Sequence, residues 1–180
     1  MEALRSFLIP LRGLSDGHHR FDFKVGDSFF EHFEEEAAHA GEFDVILDLE
    51  KRSRLLVLDF DINGKESTSC DRCLNPIALP VDGEYRLYIK YGDDGEEDAD
   101  VAFIPEGTDE LDVSRFIFEF IILSLPMVKV YDCQDEKEQP CNFEVLEKLE
   151  VQEDKTDIAD DENNPWTELK KLTDLKKDKK

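Results

Sequence analysis

Two cysteines separated by two residues, Cys70 and Cys73, have the spacing in this chain best suited to chemistry. A C-x2-C turn can aim both sulfurs at one tetrahedral ion while the intervening amides donate to them, as in zinc knuckles. Thioredoxin-like redox turns share the spacing, but they sit at a helix N-terminus, where the dipole lowers a thiol pKa. Here the pair follows an expected strand and precedes Pro76, which suits a knuckle. Cys133 and Cys141 form a second, more loosely spaced pair around QDEKEQP. Together the four thiolates match the number a closed structural zinc site requires, so zinc is the expected cofactor. The spacing leaves two other readings open: reduced thiols that shape a turn, and disulfide or redox behaviour.

Other residues that could carry chemistry are weaker candidates. His32, Glu36 and His39 fall at helical spacings and could hold a metal, but they read as a solvated flank beside a phenylalanine stripe. His18 and His19 fall in a loop. Asp93, Asp94, Glu96, Glu97, Asp98 and Asp100 form a dense acidic run without the alternating ligands and closing Glu of a calcium loop. No P-loop, G-x-G-x-x-G, G-x-S-x-G or H-E-x-x-H is present, so no motif requires an enzyme.

Charge narrows the partners. The 180 residues carry a net charge of −23, with 45 acids against 22 Lys and Arg. Nucleic-acid binding draws on cations that neutralise phosphates, which disfavours RNA contact over most of this surface. A basic protein is the better electrostatic match, because opposite fields steer encounter. The Asp93–Asp100 run is the expected electrostatic contact. No signal-peptide core and no stretch long enough to span a membrane is visible; the longest apolar run, Phe116–Leu125, is broken by Glu119 and Ser124. A cytoplasmic location is expected, where cysteines are rarely permanent disulfides.

The elements that must position the cysteines follow from periodicity. Strands are expected over Ser6–Leu11 and Arg20–Val25, then a helix over Phe29–Ala40 that begins after Gly26-Asp27-Ser28 and stops at Gly41. Phe43, Val45, Leu47 and Leu49 alternate with acids, a turn near Lys51–Arg54 follows, and Leu56, Val57, Leu58, Phe60 and Ile62 form the next strand. Asn63-Gly64 reads as a hairpin turn into a third strand, Lys65–Ser69, that leads into Cys70. Strands are also expected over Glu84–Tyr91 and Val101–Pro105. After Asp112 a helix is favoured by length, with Arg115 and Glu119 paired and Pro126 at its end, although the β-branched and aromatic content also permits a strand. Val128–Phe143 reads as a loop.

The order of these motifs resembles the YceD family, also called large ribosomal RNA subunit accumulation protein. The residues that carry the resemblance are Cys70-Asp71-Arg72-Cys73-Leu74 after a β-meander, then Leu111-Asp112-Val113 leading to Glu119 and Ile122-Leu123-Ser124-Leu125-Pro126. The ending Asn164-Pro165-Trp166 with Leu169-Lys170-Lys171-Leu172 also looks similar. The resemblance implies a role in large-subunit RNA accumulation and ribosome assembly, with no established catalytic residues. It also implies a link to a small basic ribosomal protein, whose gene commonly neighbours those of the family. The spacing of Cys133 and Cys141 does not match the family pattern, and the acidic stretch around Glu150–Glu162 looks local to this chain.

The expected fold is therefore α+β: a mainly antiparallel β-sheet or partly open barrel with two or three helices and a four-cysteine, zinc-knuckle-like clasp. Residues 1–150 form the expected domain, 151–164 an acidic linker, and 165–180 a lysine-rich amphipathic helix or tail. The expected function is a non-enzymatic ribosome-biogenesis factor that binds a basic ribosomal protein or a large-subunit precursor. A thiol redox or metal-dependent enzyme using Cys70 and Cys73 is one alternative, and an acidic nucleic-acid mimic is another.

Overall fold

The computed structural model describes residues 3–33, 40–92, 100–131 and 141–153. The chain divides into two compact units, Met1–Cys141 and Asn142–Lys180. The second unit contributes one described helix, Phe143–Glu153. The rest of the acidic linker and the lysine-rich ending, 154–180, lie outside the described residues.

The first unit is built on a sheet of five strands: β2 (Gly17–Val25), β3 (Gly41–Arg52), β4 (Leu55–Ser69), β5 (Pro76–Tyr91) and β6 (Val101–Ile104), paired in that order. The pairs β2–β3, β3–β4 and β4–β5 are antiparallel, while β6 lies parallel to β5. The strands form because apolar residues recur at every second position, so one face of the pleat can be buried throughout. Phe43, Val45, Leu47 and Leu49 of β3 are buried, as are Leu56, Leu58, Phe60 and Ile62 of β4 and Leu87 and Ile89 of β5. The intervening side chains face the other way. The edge strands β2 and β6 do not pair, so the sheet stays open instead of closing into a barrel.

A second layer covers the apolar face. A short 3-10 helix, Ala3–Phe7, leads into β1 (Leu8–Pro10), which pairs antiparallel with β7 (Glu110–Asp112). That pairing delivers the chain to α2 (Ser114–Ser124). Ile117, Phe118 and Ile121 of α2 join the core, and Phe120 stacks on Tyr85 of β5 at 4.6 Å between ring centroids. Phe7, Phe23, Phe29 and Phe33 extend the aromatic packing, with Phe33 stacked on Phe118 at 4.3 Å. The expected α2 is present with its Arg115–Glu119 pair at 2.8 Å, and Asp112 accepts a hydrogen bond from the Ser114 amide.

Four local expectations are corrected. The strand expected over Ser6–Leu11 is shortened, because the 3-10 turn takes Ser6 and Phe7. The helix expected after Gly26 is a single turn, α1 (Asp27–Phe30), with residues 34–39 outside the described set. The carboxylate of Asp27 accepts the Gly41 amide at 2.9 Å and so anchors the start of β3. α3 (Phe143–Glu153) continues past position 150, where the acidic linker was expected to begin.

The fourth correction is the largest. Asn63-Gly64 makes no turn: it lies inside β4, paired to Asp44 and Phe43 on one side and Asp82 and Val81 on the other. The strand expected over Lys65–Ser69 is the end of that same strand. Gly64 is there for close approach, since a Cβ on it would run into the Glu42 carbonyl and the Phe43 ring. Replacing it should therefore overpack the β3–β4 ladder. We expect Gly64→Ala to lower unfolding stability by ~1–3 kcal/mol in a urea titration; an unchanged midpoint would show that Phe43 is free to move aside.

Candidate functional site: the cysteine knuckle at the tip of the β4–β5 hairpin

The last register pair of the β4–β5 hairpin is Ser69 with Pro76, so residues 70–75 form its tip. Within that tip the Cys70 amide donates to the Asn75 carbonyl at 2.9 Å, and the Leu74 amide donates to the Cys70 carbonyl at 2.8 Å. Closing the loop forces Leu74 to φ 60°, the only positive φ at a non-glycine among the described residues. Such backbone is uncommon for a bulky residue and stays only where surrounding contacts hold it. The Leu74 side chain is 69% exposed.

Both sulfurs point inward. Cys70 and Cys73 are buried and neither is in a disulfide. Burial alone pushes the Cys70 thiol up, but the amides of Tyr131, Cys73 and Arg72 and the Cys73 side chain outweigh it, leaving its pKa below the ordinary value. Amides gathered around a sulfur suit a thiolate, because each N–H donor favours the charged form.

A second segment is fastened across the tip. The Asp71 amide donates to the Lys129 carbonyl at 2.8 Å, and the Lys129 amide donates back to the Asp71 carboxylate at 2.7 Å. The Lys129 ammonium then reaches Glu66 of β4 at 2.6 Å, where the carboxylate is almost fully buried. This double attachment holds Lys129–Tyr131 against the knuckle.

The expected ligands come out unevenly. Cys70 and Cys73 share the hairpin tip, and the Cys141 sulfur lies 4.0 Å from the Arg72 guanidinium beside them. Cys141 is disulfide-bonded, and Cys133 lies outside the described residues. A sulfur in a disulfide is not a thiolate ligand, so a four-thiolate site and this bond exclude one another. Among the described residues no group of three or more His, Cys, Asp or Glu is arranged to hold a metal. Of the four-cysteine clasp expected from the sequence, the described residues show the Cys70–Cys73 knuckle and no zinc clasp.

Of the other candidates, Asp93, Asp94, Glu96, Glu97 and Asp98 lie outside the described residues, while Asp100 is exposed and its carbonyl accepts the Tyr88 amide. His32 is exposed with Nδ1 2.8 Å from the Ser28 carbonyl oxygen, and its companions Glu36 and His39 fall outside the described residues. His19 lies in β2 with Nε2 2.8 Å from the Ser15 carbonyl oxygen. The Glu66–Lys129 pair was not anticipated. A continuous β4 would have revealed it, since Glu66 shares the inward phase of Phe60 and Ile62.

Fold and site together define an α+β protein on an open, mainly antiparallel sheet, with a cysteine knuckle at the tip of its longest hairpin. A family model described as Large ribosomal RNA subunit accumulation protein YceD matches residues 58–173, more than half of the chain. The chain belongs to that family. The match begins in β4 and takes in the knuckle, β5, α2 and α3. Comparison with curated proteins gives no match, and neither does comparison with solved structures. No helix among the described residues is long and apolar enough to cross a membrane.

The buried ion pair generates a prediction. Removing one partner strands a buried charge, so Lys129→Met should destabilise the protein by ~3 kcal/mol and expose the knuckle thiols to faster alkylation. The double variant Glu66→Leu, Lys129→Met should recover most of that loss. Unfolding curves and thiol-labelling rates check both; a double variant no more stable than Lys129→Met would contradict the pairing.

Proposed function

We propose that this protein is a non-enzymatic ribosome-biogenesis factor, which supports large-subunit ribosomal RNA accumulation by binding a basic ribosomal protein or a precursor particle. The observation that carries this reading is the family match over residues 58–173. The net charge of −23 supports a basic protein as the direct partner and disfavours RNA, because phosphates would meet a repelling surface. On this reading the protein works in the cytoplasm, and the acidic run Asp93, Asp94, Glu96, Glu97, Asp98 and Asp100 adds to the attractive field.

Within this reading the cysteines are structural. Cys70, Cys73, Cys133 and Cys141 would bind one zinc ion when all four are reduced. The support is the buried knuckle, its amides turned on the Cys70 sulfur, and the approach of Cys141 to Arg72. In small peptide sites such an ion contributes on the order of 10 kcal/mol to folding.

Depletion of the protein should lower the ratio of large- to small-subunit ribosomal RNA, measured on total RNA; an unchanged ratio would overturn the ribosomal reading. Metal analysis of protein purified under reducing conditions without added zinc should give about one zinc per chain, by the four-ligand rule. A stoichiometry near zero with four freely titrating thiols would overturn the zinc assignment.

A further inference from the structure

The sheet has a second face, and its chemistry differs from that of the knuckle. Along β3, β4 and β5 the outward positions include Glu42, Asp44, Asp48, Asp61, Asp82 and Glu84, all exposed. The register sets carboxylates directly opposite one another: Asp48 against Asp59, and Asp61 against Glu84. Like charges in that relation destabilise a sheet. Cations answer only part of this charge. Arg86 engages Asp59, Lys24 engages Asp44, Arg52 engages Glu50 and Arg20 engages Asp22. The register sets Arg20 across from Asp48 and Lys65 across from Glu42, but no cation is within ion-pair distance of Asp48, Asp61 or Glu84 among the described residues.

These three carboxylates border a shallow depression of about 410 Å³ that Phe60, Tyr85 and Arg86 also line. Ile46 and Tyr88 are half-buried and Val57 is buried on the same outward phase, which gives the face apolar ground between the charges. Outward side chains repeat every second residue along a strand, at ~7 Å, the spacing of alternate side chains in an extended peptide. Lysine and arginine lay their methylene stems on apolar surface while their charged heads reach beyond it.

We propose that this open sheet face is the docking surface for an extended lysine- and arginine-rich segment of a partner protein. The inference rests on the reading of the chain as a binding factor and names the surface that does the binding. Charge complementarity commits it to a basic protein segment, since RNA would be repelled by the same carboxylates.

The test measures binding of a short poly-L-lysine peptide to the full chain, at low and at physiological salt. The triple variant Asp48→Asn, Asp61→Asn, Glu84→Gln should bind roughly tenfold more weakly, the combined effect of three exposed charge contacts. Its Tm should hold or rise, because like charges have been removed from opposite positions. Arg86→Gln, which releases Asp59, should bind more tightly than the native chain. An equal charge change elsewhere in the same unit, Asp16→Asn, Glu31→Gln, Glu110→Gln, should leave binding unchanged.

The proposal is overturned if the triple variant binds like the native chain or if the control variant loses as much. It is also overturned if Arg86→Gln gains nothing, or if an RNA oligonucleotide binds this face in place of the peptide. The ribosomal reading fails separately. An unchanged RNA ratio on depletion would remove it while leaving face-dependent peptide binding intact, and loss of face dependence would leave it standing with another contact surface.

Discussion

The β4–β5 ladder governs the rest of the structure. It runs from Leu55 opposite Lys90 to Ser69 opposite Pro76 without a break, so every side chain along it is committed to one face or the other. A slip of one residue would bring Asp59 and Asp61 into the core and push Leu58, Phe60 and Ile62 into water. The same ladder fixes the direction of the hairpin tip, because Cys70 follows β4 immediately and β5 begins at Pro76. The knuckle is thus placed by the sheet, and the segment Lys129–Tyr131 is placed by the knuckle.

The two faces of this ladder have divided roles. One is sealed by Phe120, Ile117 and Ile121 of α2 and by the phenylalanine cluster of the N-terminal elements. Burial of this kind supplies most of the free energy that offsets chain entropy. Among the described residues of this unit the outward face packs no such layer, and it carries carboxylates where sheet stability alone would favour alternating signs. Lys129, by contrast, crosses to the inward side of the hairpin to neutralise Glu66, so a strong ion pair is used where a charge had to be buried.

Much of this was legible in the sequence, and the failures have physical causes. The alternation of Phe43, Val45, Leu47 and Leu49 with polar neighbours located β3, and the spacing of Arg115 and Glu119 with Pro126 beyond located α2. Asn63-Gly64 misled because turn propensity is a local property, while a strand paired on both sides draws its stability from neighbours far along the chain. Reading a turn there divided β4 and hid the inward phase of Glu66. The knuckle was legible because two-residue cysteine spacing is a local constraint, whereas the approach of Arg72 to Cys141 depends on contacts 69 residues apart. The opposed carboxylates of the outward face could not be read in advance, because cross-strand pairs exist only once the register is known.

The most direct test of binding through the outward sheet face is carboxylate footprinting. The protein, free and bound to purified large-subunit precursor particles, would be labelled with a carbodiimide and glycinamide and read by mass spectrometry. We predict that labelling of Asp48, Asp61 and Glu84 falls on binding while Asp16, Glu31 and Glu110 stay equally labelled. Labelling that falls at the latter three, or that is unchanged at all six, would contradict it.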